Sequence, residues 1–414
     1  MNQKETPVLL LTGYLGSGKT TLLNRILYNE KGIRFAVIVN DIGEVNIDAN
    51  LIQKGGVVGQ ADDSLVALSN GCICCTLKMD LVKQLNDLIN LRQFDYIVIE
   101  ASGICEPAPI AQTITSYPQM IAPGALKNGV ARLDAIVTVV DTLRMRDEFG
   151  LGDHLKEDHG EEDLASLVIQ QIEFCNIILL NKADMISHDE MAHLKAIIRE
   201  IQPKAAIYEC NYGDVDLNKI INTHSFDFDK VATSARWIEA MEAEEGDEHH
   251  DDHDDHDEHD EHDDHDEHDG HEHHHHHHHH HDHLENEESG EALEYGISTF
   301  VYYRRRPLDL TRFDELVASA WPKSVIRCKG LCYFQDESDT CYVFEQAGKQ
   351  VSIRNAGKWY ATMPPAELDA FKQQNPSVLK DWDEEYGDRM QKLVFIGQNM
   401  DRQEIEKLID QCLD

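Results

Sequence analysis

A chain of 414 residues has room for two or three domains of about 100–200 residues each, and its 77 acidic against 37 basic side chains give a formal net charge of −40. That sign argues against nucleic acid, which asks for a basic face, and points to cations as partners. No apolar run reaches the ~18 residues of a membrane span and no basic-then-apolar signal opens the chain, so a cytoplasmic protein away from membranes is expected.

The apolar run Val8–Leu11 leads into Gly13-Tyr-Leu-Gly-Ser-Gly18-Lys19-Thr20, and helical spacing follows from Thr21. Strand, glycine loop and helix in that order make a phosphate cradle. Gly13, Gly16, Ser17, Gly18 and Thr21 belong to the cradle, Lys19 reaches the β/γ-phosphates, and the Thr20 hydroxyl ligates Mg²⁺. After a second apolar run, Phe35–Val39, Asp41 and Glu44 stand where a nucleotide-sensing loop belongs. Next comes Gly71-Cys72-Ile-Cys74-Cys75, three soft thiols within four residues. In a reducing compartment these are ligands for Zn²⁺ or another thiophilic ion, with redox thiols and packing as the alternatives. No partner Cys-x-x-Cys follows, so an exchangeable site fits better than a closed finger, and Asp41 or Glu44 can complete the shell. The other seven cysteines lack ligand spacing and read as packing residues.

The run Tyr96–Ile99 ends on Glu100-Ala-Ser-Gly103, a carboxylate for the Mg²⁺ shell or the attacking water, and a glycine for close approach to the γ-phosphate. Another run, Ile177–Leu180, ends on Asn181-Lys182-Ala-Asp184, whose carboxylate accepts two hydrogen bonds from guanine; adenine has no such donor pair. Apolar strands alternating with helices over 1–226 predict an α/β fold, a P-loop NTPase with a mostly parallel, doubly wound sheet. The polar motifs fall at the carboxyl ends of its strands, where ligands of such sheets bind.

Residues 242–294 are a different material, with 25 of the acidic residues, 19 of the 24 histidines lying between His249 and His283, and no Lys or Arg. Histidine recurs at every third position, His250, His253, His256, His259, His262, His265, His268 and His271, before nine consecutive histidines. So polar a segment buries too little to offset chain entropy and is expected to be disordered. Imidazoles among carboxylates make many weak sites for Zn²⁺, Ni²⁺ or Co²⁺; a plain acidic linker would need no histidine. From 295 to 414 strand and helix patterns return, Ile297–Tyr302, Asp309–Ala320, Cys341–Phe344, Leu393–Ile396 and Arg402–Cys412, which predict a small α+β domain with an antiparallel sheet. Its Arg304-Arg305-Arg306 run reads as a solvated strand end, or as a dock for an acidic partner or for the chain's own acidic segment.

In order and spacing, Gly13 to Thr20, Val39-Asn40-Asp41-x-Gly43-Glu44, Asn70 to Cys75, Glu100-x-x-Gly103 and Asn181 to Asp184 resemble the CobW-type P-loop GTPases, relatives of the HypB and UreG metallochaperones. Arg327-Cys-Lys329-Gly330 and Gly387-Asp388-Arg389 through Gly397 are similar to the C-terminal domain of that family. One departure is Asp41, where the family more often has Glu. The resemblance implies a GTPase that handles zinc or cobalt, with Cys72, Cys74 and Cys75 as ligands. Lys19, Glu100 and Asp41 would carry hydrolysis of GTP to GDP, and an apo-metalloprotein client would receive the ion. A homodimer is an option. A metal buffer or sensor with slow turnover, or a cobalt-handling GTPase of cobalamin biosynthesis, is the alternative.

Overall fold

The computed structural model describes residues 4–28, 32–39, 67–69, 78–121, 128–148, 164–242, 295–348, 350–375 and 382–414. Asp41, Glu44, Cys72, Cys74, Cys75 and the histidines between 250 and 271 lie outside the described residues.

The first unit runs β1 (Glu5–Thr12), α1 (Lys19–Leu27), β2 (Phe35–Val39), β3 (Ala67–Ser69), α2 (Lys78–Leu91), β4 (Tyr96–Glu100), α3 (Pro107–Thr115), α4 (Tyr117–Met120), β5 (Val130–Asp141), α5 (Thr142–Glu148), α6 (Leu164–Glu173), β6 (Ile177–Asn181), α7 (His188–Ile201) and β7 (Ala206–Glu209). Its seven strands are parallel and lie in the order β3-β2-β4-β1-β5-β6-β7. Successive side chains leave a strand on opposite faces, so a sheet covered on both sides needs unbroken apolar strands. Leu9, Leu11, Val98 and Val137 pack one face against Leu22, Leu23 and Ile26 of α1. Val8, Leu10, Ile97, Ile99 and Ile136 pack the other against α2, α3, α6 and α7. Two short helices follow, α8 (Phe228–Ala232) and α9 (Arg236–Glu242). Among the described residues no helix is long and apolar enough to cross a membrane.

The second unit holds β8 (Ile297–Arg304), α10 (Leu310–Ser319), β9 (Val325–Cys332), β10 (Thr340–Ala347), β11 (Gln350–Lys358), α11 (Pro365–Gln374), β12 (Gln391–Gln398) and α12 (Arg402–Asp410). The sheet, ordered β11-β10-β9-β12-β8, is antiparallel throughout, as the patterning predicts. Phe313, Leu316, Ile405 and Ile409 from α10 and α12 cover Phe344, Leu393 and Phe395. The arginine run is spent inside this unit: Arg304 pairs with Asp410 at 2.9 Å and Glu406 at 3.3 Å, and Arg305 donates to the carbonyl of Arg389 at 3.1 Å. Arg306 reaches the backbone carbonyl of Asp414.

The two units touch through apolar side chains, Ile297 and Ala347 joining the core of the first, and through polar ones. Thr299 donates to Glu200 at 2.8 Å, and the rings of His193 and Tyr295 stack at 4.8 Å. Arg327 of β9, fully buried, donates from Nε to Glu173 at 2.7 Å and from Nη2 to Glu345 at 2.6 Å.

Candidate functional site

Register brings the motifs to one edge. Leu11 of β1 pairs with Glu100 of β4, Glu100 with Val39 of β2, and Val39 with Ser69 of β3. The glycine loop therefore begins two residues beyond a row that also holds Glu100. The segments carrying Asp41, Glu44 and the three thiols follow, in sequence, from the other two strand ends of that row.

Within the loop, Gly13, Gly16 and Gly18 take φ of +133°, +77° and +109°, a region that favours glycine. A Cβ on Gly13 would lie 2.3 Å from the Val139 carbonyl oxygen. The first turn of α1 has no side-chain cap, unlike α7, where Ser187 and Glu190 cap reciprocally. Uncapped N–H groups at a positive helix end favour an anion. Lys19 is buried and donates from Nζ to the Tyr14 carbonyl at 3.1 Å, which holds the ammonium over the loop. The ring of Tyr14 lies 4.6 Å beneath the Arg144 guanidinium. Thr20 donates to Glu100 Oε1 at 3.1 Å, so the two expected Mg²⁺ side chains are neighbours, and Glu100 is buried. Ser17 is buried with no partner for its hydroxyl among the described residues, while Thr21 is exposed on the first turn of α1. Gly103 packs on the loop so closely that a Cβ there would stand 2.7 Å from the Leu15 nitrogen.

Asn181 bridges the loop to the end of β7. Its Nδ2 donates to the Ser17 carbonyl at 2.7 Å, and its Oδ1 accepts from the Gly213 N–H at 3.1 Å. The amide thus ties two loops together. Lys182 takes left-handed φ of +61° and pairs with Asp141, while Thr142 donates to the Asn181 and Lys182 carbonyls at 3.0 and 2.9 Å. The Asp184 carboxylate is exposed beside that turn, and its backbone N–H donates to Asn211 Oδ1 at 2.9 Å.

Several of these partners escape sequence reasoning: Asp141, Thr142, Arg144, and the loop 210–214, which Arg25 of α1 grips at the Tyr212 carbonyl (2.7 Å) and Asp214 (2.9 Å). The one signal for that loop is a polar Gly-containing turn directly after a strand, downstream of Asp184. Cys105, Cys175, Cys210, Cys328, Cys332, Cys341 and Cys412 are buried and form no disulfide among the described residues, in keeping with packing roles. Burial pushes the Cys175 thiol up to about 12 and those of Cys210 and Cys341 up to about 11, so these thiols stay protonated at neutral pH. Among the described residues no cluster of three or more His, Cys, Asp or Glu is arranged to hold a metal ion.

Residues 7–209 match the family described as "CobW/HypB/UreG, nucleotide-binding domain", and residues 297–413 match "Cobalamin synthesis protein cobW C-terminal domain". The chain is 34% identical over 428 aligned positions to "Zinc-regulated GTPase metalloprotein activator 1" of Dictyostelium discoideum, covering 99% of this chain and 80% of that protein. "Zinc chaperone YjiA" of Escherichia coli is 34% identical over 236 positions, 55% of this chain and 65% of that one. "Zinc-regulated GTPase metalloprotein activator 1" of Schizosaccharomyces pombe is 36% identical over 223 positions, 53% of this chain and 49% of that protein.

Proposed function

Because the chain belongs to the CobW/HypB/UreG family and carries that family's C-terminal domain, we propose that it is a cytoplasmic GTP-hydrolysing metallochaperone for zinc. Its tight ion sits on Cys72, Cys74 and Cys75, and its client is an apo-metalloprotein. The observation that carries this reading is the common row of strand ends, Leu11, Glu100, Val39 and Ser69, from which the phosphate loop, the magnesium carboxylate, the 40–44 segment and the thiol segment all depart. Relatives named for zinc supply the metal.

The residues present fit a guanosine triphosphate with Mg²⁺. The cradle is closed to any Cβ at Gly13 and Gly18, a buried hydroxyl waits at Ser17, and Thr20 and Glu100 adjoin. Lys19 exchanges the Tyr14 carbonyl for phosphate oxygens, spreading the negative charge that develops on the transferred group. Mg²⁺, held by Thr20 and Glu100, would offset the remaining phosphate charge. Glu100 and Asp41 orient the attacking water, and Asp184 reads the guanine edge.

Three thiolates and a carboxylate bind zinc tightly; structural sites are worth roughly 10–16 kcal/mol. Reversing occupancy from 99:1 to 1:99 takes only ~5.5 kcal/mol of differential affinity, which moving one ligand with the γ-phosphate can supply. The test is zinc affinity and release measured in the GTP-analogue and GDP states. A difference supports chaperone action, and equal values in both states overturn it. The 19 histidines between His249 and His283 favour a buffering role as a second reading. Turnover that responds to zinc but to no apo-protein client would select it.

A further inference from the structure

Helix α6 meets the nucleotide site on one side and the C-terminal sheet on the other. Towards the site, the buried Gln171 amide donates to the carbonyls of Gly103 at 3.0 Å and Cys105 at 3.3 Å, the turn that follows Glu100. That turn leans on the phosphate loop at Leu15. Thr138 of β5 pins the same helix by donating to the Gln171 carbonyl at 2.9 Å. Gln171 Oε1 is buried and has no hydrogen-bond donor among the described residues, an unspent acceptor of the kind that a second arrangement would satisfy.

Towards the C-terminal sheet, Glu173 accepts from Arg327 Nε at 2.7 Å and Nη2 at 2.8 Å, and Gln170 donates to Glu345 at 3.5 Å. Arg327, Glu173 and Glu345 form a buried ion triad, joined by Lys329 at 3.6 Å from Glu345. Desolvation offsets most of the attraction in such a group, so net stability is a weak reason for it; fixing one arrangement of the partners is a better one. Residues on a single ten-residue helix move together.

We propose that α6 couples the nucleotide site to the C-terminal domain. Movement of the Glu100–Cys105 turn with the γ-phosphate passes through Gln171 to the helix and through Glu173 and Arg327 to β9 and β10. Gln171 and Glu173 are its positioning residues. The proposal rests on the assignment of Gly13–Thr20 and Gly103 to the triphosphate site. Linkage makes the coupling reciprocal: whatever binds the C-terminal sheet and biases this triad changes nucleotide affinity by the same factor.

The test uses the full chain, saturated in turn with GDP and a non-hydrolysable GTP analogue, and reads amide exchange over residues 327–347. Exchange there should differ between the two states by about fivefold, the low end of ordinary coupling between sites. Gln171→Met should bind both nucleotides yet lose that difference. Glu345→Gln, far from the phosphates, should change the ratio of GTP-analogue to GDP affinity by about fivefold. Should Gln171→Met fail to fold, the unmodified chain and Glu345→Gln decide. Identical exchange in both saturated states, or an unchanged affinity ratio in Glu345→Gln, overturns the coupling alone. A chain that binds neither nucleotide overturns the site assignment, and the coupling with it.

Discussion

The Ser17 carbonyl and the Asn181 amide are bonded at 2.7 Å, and behind that bond a Cβ on Gly18 would sit 2.3 Å from the same Asn181 nitrogen. The glycine loop and the Asn181–Asp184 turn are therefore one interlocked part. Asn181→Ala leaves the buried Ser17 carbonyl and Gly213 N–H without partners, a cost of about 1–3 kcal/mol. GTP and GDP should weaken together by roughly tenfold, read by fluorescent-nucleotide titration; unchanged affinity would show that the bridge does not support the pocket. Gly18→Ala should bind worse still, from steric overlap and from its φ of +109°. Adding Asn181→Ala to it should recover part of the loss, a non-additivity expected of side chains in direct contact.

Base choice should lie with Asp184. Its carboxylate is exposed, and its backbone is fixed by Asn211. A carboxylate accepts from the N1–H and exocyclic amine of guanine; an Asn amide can instead donate to the O2 of xanthine. Asp184→Asn should thus lose GTP affinity by about 10- to 100-fold, the value of charge-assisted hydrogen bonds, and gain XTP. Competition between GTP and XTP measures it, and retention of GTP preference would take the guanine contact away from Asp184.

Much of this was legible in the sequence because the chemistry sits in short local motifs and the parallel strands are buried on both faces, hence unbroken apolar runs such as Ile97–Ile99. What escaped it has physical reasons. Strand β9 carries Arg327, Lys329 and Gly330, which read as polar, yet Arg327 is wholly buried because two carboxylates meet it. Gly330 is there because a Cβ would lie 2.0 Å from the Lys392 carbonyl oxygen. The loop 210–214 works through the Tyr212 carbonyl and the Gly213 N–H, groups that nearly every residue has. Gln171 looks like any polar position on an amphipathic helix until its distant partners are known.

The interdomain triad should show in acid. Burial alone would raise the Glu345 carboxyl, but Arg327 and Lys329 hold it down at about 2, against an ordinary 4.5. A carboxylate depressed in the folded state contributes stability that is complete above its unfolded pKa and lost as pH falls through the folded one. The Glu345 contribution should therefore be constant from pH 7 to about 5 and fade between about 4.5 and 2. Urea midpoints of the parent chain and Glu345→Gln, compared across that range, should draw together below about pH 4.5 and meet near pH 2. A gap independent of pH would mean that Glu345 acts by packing rather than charge.

The ions should separate into two classes. Three clustered thiolates hold zinc tightly at fixed geometry, whereas scattered imidazoles and carboxylates hold it weakly and in many overlapping ways. Cys74→Ser replaces a soft anion with a hydroxyl that stays protonated at neutral pH, so the tightest zinc should be lost while GTP still binds through Lys19 and Asp184. Removing residues 249–283 takes 19 histidines away and should abolish the numerous weak ions, with the tight one and GTP turnover intact. Equilibrium dialysis against a chelator series, with turnover measured on the same samples, distinguishes them. A tight ion that survives Cys74→Ser but vanishes with the histidines would move the cargo site out of the GTPase domain altogether. The nucleotide would then have no ligand of the ion to move, and coupling would have to act through the client.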